Sequence, residues 1–347
     1  PFAGSGTTLL TGQWKGMFPV GVDINPFFTF VQRTKLDWFK YDQARLKDCV
    51  KRLRELQVNK EPEIVAPELS SFKKVYSPDV LNQLLLFKEE ILREEDLLTR
   101  NFLLLGLSSI LEEVSKIKKD GKGLKFIKGK VILDVKYALS RKLGHMVNDL
   151  YELNTFMKVE KTNGRAFTMD TRKLELSDLE LDETVDFIMF SPPYLNTFDY
   201  TEVYKLELWF LDFVRNYEEF KALRETTLRS HNLVDWEPTR DWENYLLDEI
   251  LEHVRSKKLW SEIIPVMIQG YFDDMFASLG RFNEIIKNGG YCVIVVGNSA
   301  YANIPVPTDL LLAKAGQEAG FTPVEIRIAR KLGTSSQQLK VLKEPLR

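Results

Sequence analysis

Short apolar runs bounded by turn residues alternate along this chain with long segments of helical spacing. Residues 1–35 open on a Gly-rich loop, pass through a helix at Leu9–Gly12, and reach a short buried strand at Val20–Ile24 closed by Asn25-Pro26. From about 36 to 160 the texture is Leu, Lys and Glu at helical period, clearest at Val80–Leu98 and Phe102–Lys118, with a break at Lys119–Gly123 that reads as a loop between helices. Val185–Phe190 is a continuous apolar run ending in Ser-Pro-Pro, the pattern of a buried parallel strand. A second helical section spans roughly 203–270. Further strands are expected at Tyr291–Val296 and near Thr322–Ala329, with a helix after Pro307.

Strands separated by helices predict an α/β fold with a mostly parallel sheet and helices on both faces. The two helix-rich sections exceed the connections of about 2–6 residues usual in such sheets. They are therefore read as insertions. Residues 1–35, 165–202 and 271–347 form the expected α/β core, 36–164 a large helical insertion, and 203–270 a second one.

Composition changes this picture little. The hydrophobic fraction of 44% and charged fraction of 28% are those of an ordinary globular enzyme. A net charge of −2 excludes a global positive field, so attraction to nucleic acid has to come from local patches. Cys49 and Cys292 stand far apart without CxxC spacing, and His145, His231 and His253 show no triad-like or metal-like spacing. Neither a zinc site nor a disulfide framework is expected, and a reducing, cytoplasmic setting is the default. No apolar run reaches the ~18 residues of a membrane span.

Candidate chemistry begins at the loop Phe2, Ala3, Gly4, Ser5, Gly6, Thr7. Its glycines let backbone approach a ligand, and the following helix start offers free N–H groups to an anion or carboxylate. A plain turn would read alike. The absence of Gly-Lys-Ser/Thr disfavours a phosphate-cradling nucleotide loop, and the third glycine of the dinucleotide fingerprint is missing. The next strand ends in Gly-Val-Asp23-Ile24-Asn, where a carboxylate can accept both ribose hydroxyls of an adenosine-type ligand. Asp170, after Arg165–Met169, repeats that geometry one strand on and can accept an adenine amine. Three strand ends lining one pocket weigh more than any one of them.

Ser191, Pro192, Pro193 and Tyr194 follow the apolar strand. The prolines fix the backbone and, lacking N–H, leave carbonyls free to face a pocket. An exocyclic base amine is a poor nucleophile, because its lone pair is delocalised into the ring. The Ser191 hydroxyl and Pro192 carbonyl can accept its two N–H groups and aim the lone pair at a sulfonium methyl, which is orientation rather than strong-base catalysis. Tyr194 offers an aromatic face to an extruded base. A proline turn capped by a core tyrosine is the bland alternative.

The segments PFAGSGTT, VGVDINP and SPPY together resemble the S-adenosylmethionine-dependent DNA amino-methyltransferases. The resemblance covers about a third of the chain and implies a Rossmann-like methyltransferase sheet. It implies that Phe2, Gly4, Gly6, Asp23 and Asp170 hold S-adenosylmethionine and that Ser191–Tyr194 hold the target base, with the strand Gly289–Val296 beside the catalytic one. Serine in first place resembles the cytosine 4-amino branch, whereas Asp or Asn is usual in the adenine 6-amino branch. The order, cofactor loop before tetrapeptide, is the reverse of that common among cytosine enzymes. In that family the loop is preceded by Asp and fed by the central strand, so the natural polypeptide is expected to extend beyond both ends.

Residues 116–130 hold seven lysines against one aspartate. Lys116, Lys118, Lys119, Lys122, Lys125 and Lys128 are the expected contacts to DNA phosphates, on a loop of the large insertion. A solvated loop is the alternative. Trp209, Phe210, Trp236, Trp242 and Trp260 are expected in a helix core more than on bases. The reading is thus a DNA methyltransferase acting on double-stranded DNA with its target base extruded, with a restriction or defence-system partner. Its rivals are an RNA base amino-methyltransferase, which the absence of a recognisable RNA-binding module disfavours, and a catalytically inactive nucleic-acid-binding subunit, in which degraded motifs would be expected.

Overall fold

A computed structural model describes residues 1–120, 123–156 and 161–330. The chain starts with α1 (Thr7–Trp14), β1 (Val20–Asp23) and α2 (Pro26–Leu36). Asn25 ends the strand and starts the helix: its side chain accepts from Phe27 N, and Pro26 fills the first turn, where its missing N–H costs nothing. Four helices follow: α3 (Gln43–Glu55), α4 (Ser70–Val75), α5 (Pro78–Leu92) and α6 (Leu97–Ser109). Asp42, Ser77 and Asp96 cap α3, α5 and α6. The antiparallel hairpin β2 (Ile117–Asp120) and β3 (Gly123–Phe126) then leads to α7 (Val135–Phe156).

The remaining elements are β4 (Arg165–Thr168), β5 (Val185–Phe190), α8 (Tyr200–Val203), α9 (Lys205–Phe210), α10 (Tyr217–Glu225), α11 (Tyr245–Arg255) and α12 (Ile264–Ile285). The chain continues through β6 (Ile286–Ile294), the hairpin β7 (Ser299–Tyr301) and β8 (Ile304–Val306), and α13 (Thr308–Glu318).

The fold is mixed α/β, with short parallel pairs instead of one continuous sheet. β1 pairs with β4, and β5 with β6, both parallel. Carbonyls of Pro19 and Asp23 face β4, so that of Val22, one residue out of phase, faces the opposite edge. There it accepts from Ala3 N at 3.1 Å. The Phe2 ring meets Phe190, at the end of β5, with centroids 5.6 Å apart. The opening loop thus lies between the two parallel pairs.

Two hydrophobic cores result. One gathers α2–α7 with Trp209, Phe210 and Phe220; the other packs β5, α11, α12 and α13 around Trp242, Tyr271 and Phe282. The residues of the expected second insertion are therefore shared between the cores. Trp209 and Phe210 are buried on α9, Trp236 and Trp242 are buried from irregular segments in the second core, and Trp260 is exposed.

Three expectations need correction. The described residues of the break, Lys119, Asp120 and Gly123, belong to the paired strands β2 and β3, because Ile117 and Leu124 turn apolar side chains inward in strand register; 121–122 lie outside the described residues. β5 is covered on one face only: Ile188 and Phe190 are buried, while Phe187 (49% exposed) and Met189 (41%) face outward with Tyr291, Val293 and Val295. Thr322–Ala329 forms no regular element. Among the described residues, no helix is long and apolar enough to cross a membrane.

Candidate active site

The Gly-rich loop is held from behind. Gln32 Nε2 donates to Gly4 O at 2.8 Å and Lys35 Nζ to Ser5 O at 2.8 Å, so α2 engages the loop's carbonyls. Phe2, Gly4 and Gly6 all have positive φ (49°, 51° and 79°). For Phe2 this is a conformation that L side chains seldom adopt and that the surroundings must sustain. Close packing of α1 on β1 depends on Gly21, where an added Cβ would stand 2.4 Å from Leu9 Cδ1. At Gly4 an added Cβ would meet nothing within 4 Å, so space lies open in front of the loop. Gly6 caps α1 with no side-chain hydrogen bond, leaving first-turn N–H groups beside exposed Ser5, Thr7 and Thr8.

Asp23 ends β1 and is buried, with 8% exposure. Its Oδ2 accepts from Gly4 N at 2.8 Å and its Oδ1 from Asn25 N at 2.9 Å. Burial pushes its carboxyl up to about 6, with the two backbone donors pulling the other way. Asn25 Nδ2 is buried with no partner among the described residues, and Ile24 is half-buried between the two. Open space, unused helix N–H groups, a carboxylate with spare lone pairs and an orphaned amide suit an adenosyl group bearing a carboxylate. The residues present fit S-adenosylmethionine.

Asp170 follows β4 and caps the 3₁₀ turn Thr171–Lys173. It lies beyond the same strand end as Asp23, since Met169 N donates to Asp23 O at 3.0 Å. Its carboxylate is already engaged by Arg172.

Ser191 leaves the sheet exposed, followed by buried Pro192 and half-buried Pro193 and Tyr194. The Ser191 hydroxyl donates to the Tyr194 hydroxyl at 3.3 Å, a long bond that a better acceptor would displace. Behind it the loop is pinned. Leu195 O accepts from the Ser299 and Tyr301 hydroxyls, and Thr197 N donates to Ser230 O at 3.0 Å. An aromatic row continues the wall: Phe198 against Tyr200 (4.5 Å between centroids), then Phe28 against Tyr204 (4.7 Å). The structure thus brings Phe2, Gly4, Asp23 and Ser191–Tyr194 to one end of the parallel strands. Ser230, Ser299, Tyr301 and Arg172 support it, and only contacts distant in sequence disclose them.

The basic hairpin approaches from the side of α8. Lys119 turns inward, ion-paired to buried Glu207 and 4.2 Å from the Tyr204 ring centroid. Lys116, Lys118, Lys125 and Lys128 are exposed beside exposed Phe126 and Ile127; Lys122 lies outside the described residues.

A loop and two acids at parallel strand ends, with an open Ser-Pro-Pro-Tyr turn at the end of β5, are the arrangement of a ligand-binding site at the carboxyl ends of parallel strands. Known proteins narrow this to a class. No family model and no solved structure matches the chain. Over 98% of its length it is 28% identical to the Type II methyltransferase M.AvaI of Nostoc sp. strain PCC 7120, covering 76% of that protein. It is 27% identical, with the same coverage, to the Type II methyltransferase M.BsoBI of Geobacillus stearothermophilus. The Type II methyltransferase M.MvaI of Kocuria varians is 23% identical over 90% of the chain and 72% of its own length. The chain is a relative of the Type II methyltransferases, and it is a methyltransferase.

Proposed function

We propose that this protein transfers a methyl group from S-adenosylmethionine to an exocyclic amine of a base in double-stranded DNA, the 4-amino group of cytosine. The observation that carries the reading is the placement of exposed Ser191 at the end of β5. The cofactor-loop residue Phe2 packs on Phe190, the residue just before it. The bound cofactor supplies an electrophilic methyl group on sulfonium sulfur.

The rest falls to the chain's own groups. Asp23 accepts the ribose hydroxyls, Asp170 the adenine amine, and the N–H groups of the α1 start receive a carboxylate. Ser191 Oγ, whose lone pairs stay free while its O–H points to Tyr194, accepts one amine N–H, and Pro192 O accepts the other. That orients the nitrogen lone pair and stabilises positive charge as it develops there. Tyr194, with Phe198 and Tyr200 behind it, stacks on the extruded base. No strong base is required: as the N–CH3 bond formed and the S–CH3 bond broke, a neutral thioether would leave, and solvent at exposed Ser191 would take the proton of the acidified cationic amine.

The same reading joins β1–β4 and β5–β6 into one Rossmann-like sheet in the core of 1–35, 165–202 and 271–347, of which 331–347 lie outside the described residues. The exposed lysines of the β2–β3 hairpin, in the 36–164 insertion, attract backbone phosphates. A Type II relationship also points to a restriction partner.

Digestion of methylated DNA to nucleosides, followed by mass spectrometry, tests the reading. N4-methylcytosine is expected. N6-methyladenine would move the target to the adenine branch, which the loop-before-tetrapeptide order favours. Methylation of tRNA alone would overturn the DNA assignment.

A further inference from the structure

A chain of ion pairs runs behind the pocket from one ligand-facing element to the other. Arg172 encloses Asp170: its backbone N and Nε donate to Oδ1 at 3.0 and 2.9 Å, and Nη2 donates to Oδ2 at 2.8 Å. Nε also reaches Oδ2, at 3.1 Å, so its N–H is shared between the two oxygens and the second site of Oδ2 is the one most weakly engaged and open to a ligand donor. Arg172 is itself anchored, through Nη1 to Asp274 Oδ1 at 3.1 Å and Nη2 to Thr226 O at 2.8 Å. Asp274, on α12, is buried with 3% exposure.

Asp274 serves a second arginine. Arg229 Nη2 donates to its Oδ1 and Arg229 N to its Oδ2, at 2.8 and 2.9 Å. Gly270, one turn earlier on α12, makes room for that side chain: a Cβ there would stand 2.6 Å from Arg229 Cδ. The next residue, Ser230, receives Thr197 N from the loop that follows Tyr194. One buried carboxylate therefore holds both the acid at the end of β4 and the turn that pins the Ser191–Tyr194 loop. Breaking a buried pair of this kind strands an uncompensated charge, so the chain resists rearrangement.

We propose that Arg172 is a positioning residue that, braced on Asp274, presents a single acceptor site of Asp170 to the adenine amine and so sets the enzyme's selectivity for adenine over a keto purine. The inference rests on the proposed role of Asp170 in cofactor binding. An adenine amine supplies the one donor that the remaining site can take. A hypoxanthine ring supplies a carbonyl there instead, and two acceptors face each other.

The test is calorimetric titration of the intact protein with S-adenosylhomocysteine and S-inosylhomocysteine, which differ at the 6-substituent and in the N1–H that accompanies the keto group. The unaltered protein should favour the adenine compound, and Arg172→Gln should shrink the preference about tenfold (~1.4 kcal/mol), because Asp170, released from the guanidinium fork, no longer holds its acceptor at the 6-position. A purely structural lesion lowers both affinities together and leaves their ratio unchanged. Should Arg172→Gln fail to fold, Arg172→Lys, which keeps the charge but not the fork, is expected to narrow the ratio too. Asp274→Asn should act in the same direction. An unchanged ratio in the folded Arg172 variant, with a collapsed ratio in Asp170→Asn, overturns the inference alone. An unchanged ratio in Asp170→Asn overturns the role of Asp170 itself, and the inference with it.

Discussion

The two ends of the pocket differ in how far the protein satisfies its own polar groups. At the cofactor end, Asp23 is buried and bonded to two backbone N–H groups, α2 holds the loop's carbonyls, and Arg172 clamps Asp170. At the base end, Ser191 is exposed and makes one hydrogen bond of 3.3 Å to a half-buried tyrosine. On the proposed reading, the first end is pre-organised for a cofactor, a small ligand that never varies. The second keeps a fixed backbone, pinned at Leu195 and Thr197, but leaves its side chains free for a substrate that arrives from outside. Substitutions at the two ends should therefore separate cleanly into binding and transfer effects.

The largest effect belongs to the base end. Ser191→Ala removes one of two acceptors for the target amine, and loss of one oriented group costs ~2.7–4 kcal/mol in the transition state, or about two to three decades in rate. Single-turnover methylation at saturating cofactor and DNA measures it, and cofactor affinity should hold near the unaltered value. At the other end, Asp23→Ala removes acceptors for two hydroxyls and should weaken cofactor binding by roughly 2–3 kcal/mol. Calorimetry reads this directly, and full affinity in that variant would erase the contrast between the ends. Tyr194→Ala comes next, losing a stacking face worth about 1–3 kcal/mol per base. It should impair capture of the extruded base, followed by fluorescence of 2-aminopurine at the target, with little change at the cofactor.

A pH series sharpens the comparison, because the proposed cofactor end holds a buried acid, Asp23, raised from 3.8 to about 6. Since its folded pKa lies above the ordinary value, neutral Asp23 stabilises the empty fold below pH 3.8, and that contribution is lost as pH rises through 6. Ribose hydroxyls need the ionised form, so cofactor affinity should fall about tenfold per pH unit below 6. A flat affinity between pH 5 and 7 would contradict this coupling. The smallest effects lie on the hairpin: replacing Lys118, Lys125 or Lys128 by Gln should weaken DNA binding alike on all sequences and reduce the salt slope by about one each. Changes confined to one DNA sequence would instead assign these lysines to base reading.

Local signals carried the site's parts but not their bracing. Asp23 and Ser191–Tyr194 were legible because a turn, an acid and two prolines at strand ends are short-range patterns. The helices α5 and α6 were legible in existence but not in extent, because Leu-rich spacing runs on past Leu92 and Ser109, while the caps at Ser77 and Asp96 mark only their starts. The hairpin is hidden because one of its inward positions is a lysine: Ile117, Lys119 and Leu124 turn inward, and only two of the three are apolar. An apolar run also does not tell whether both faces of its strand are covered. Phe187 and Met189 show that in β5 one is not. The pins from Ser299, Tyr301, Ser230 and Arg172 join residues from different elements, and no periodicity encodes them.

The central claim is that the Ser191–Tyr194 turn delivers a base amine of DNA to the cofactor's methyl group. It is tested most directly by single-turnover transfer from labelled S-adenosylmethionine to duplex DNA, comparing the unaltered protein with Ser191→Ala at matched cofactor occupancy. The account predicts label on an exocyclic base amine, and a rate about two to three decades lower in the variant. Transfer by Ser191→Ala at the unaltered rate would contradict it and leave the turn a structural feature.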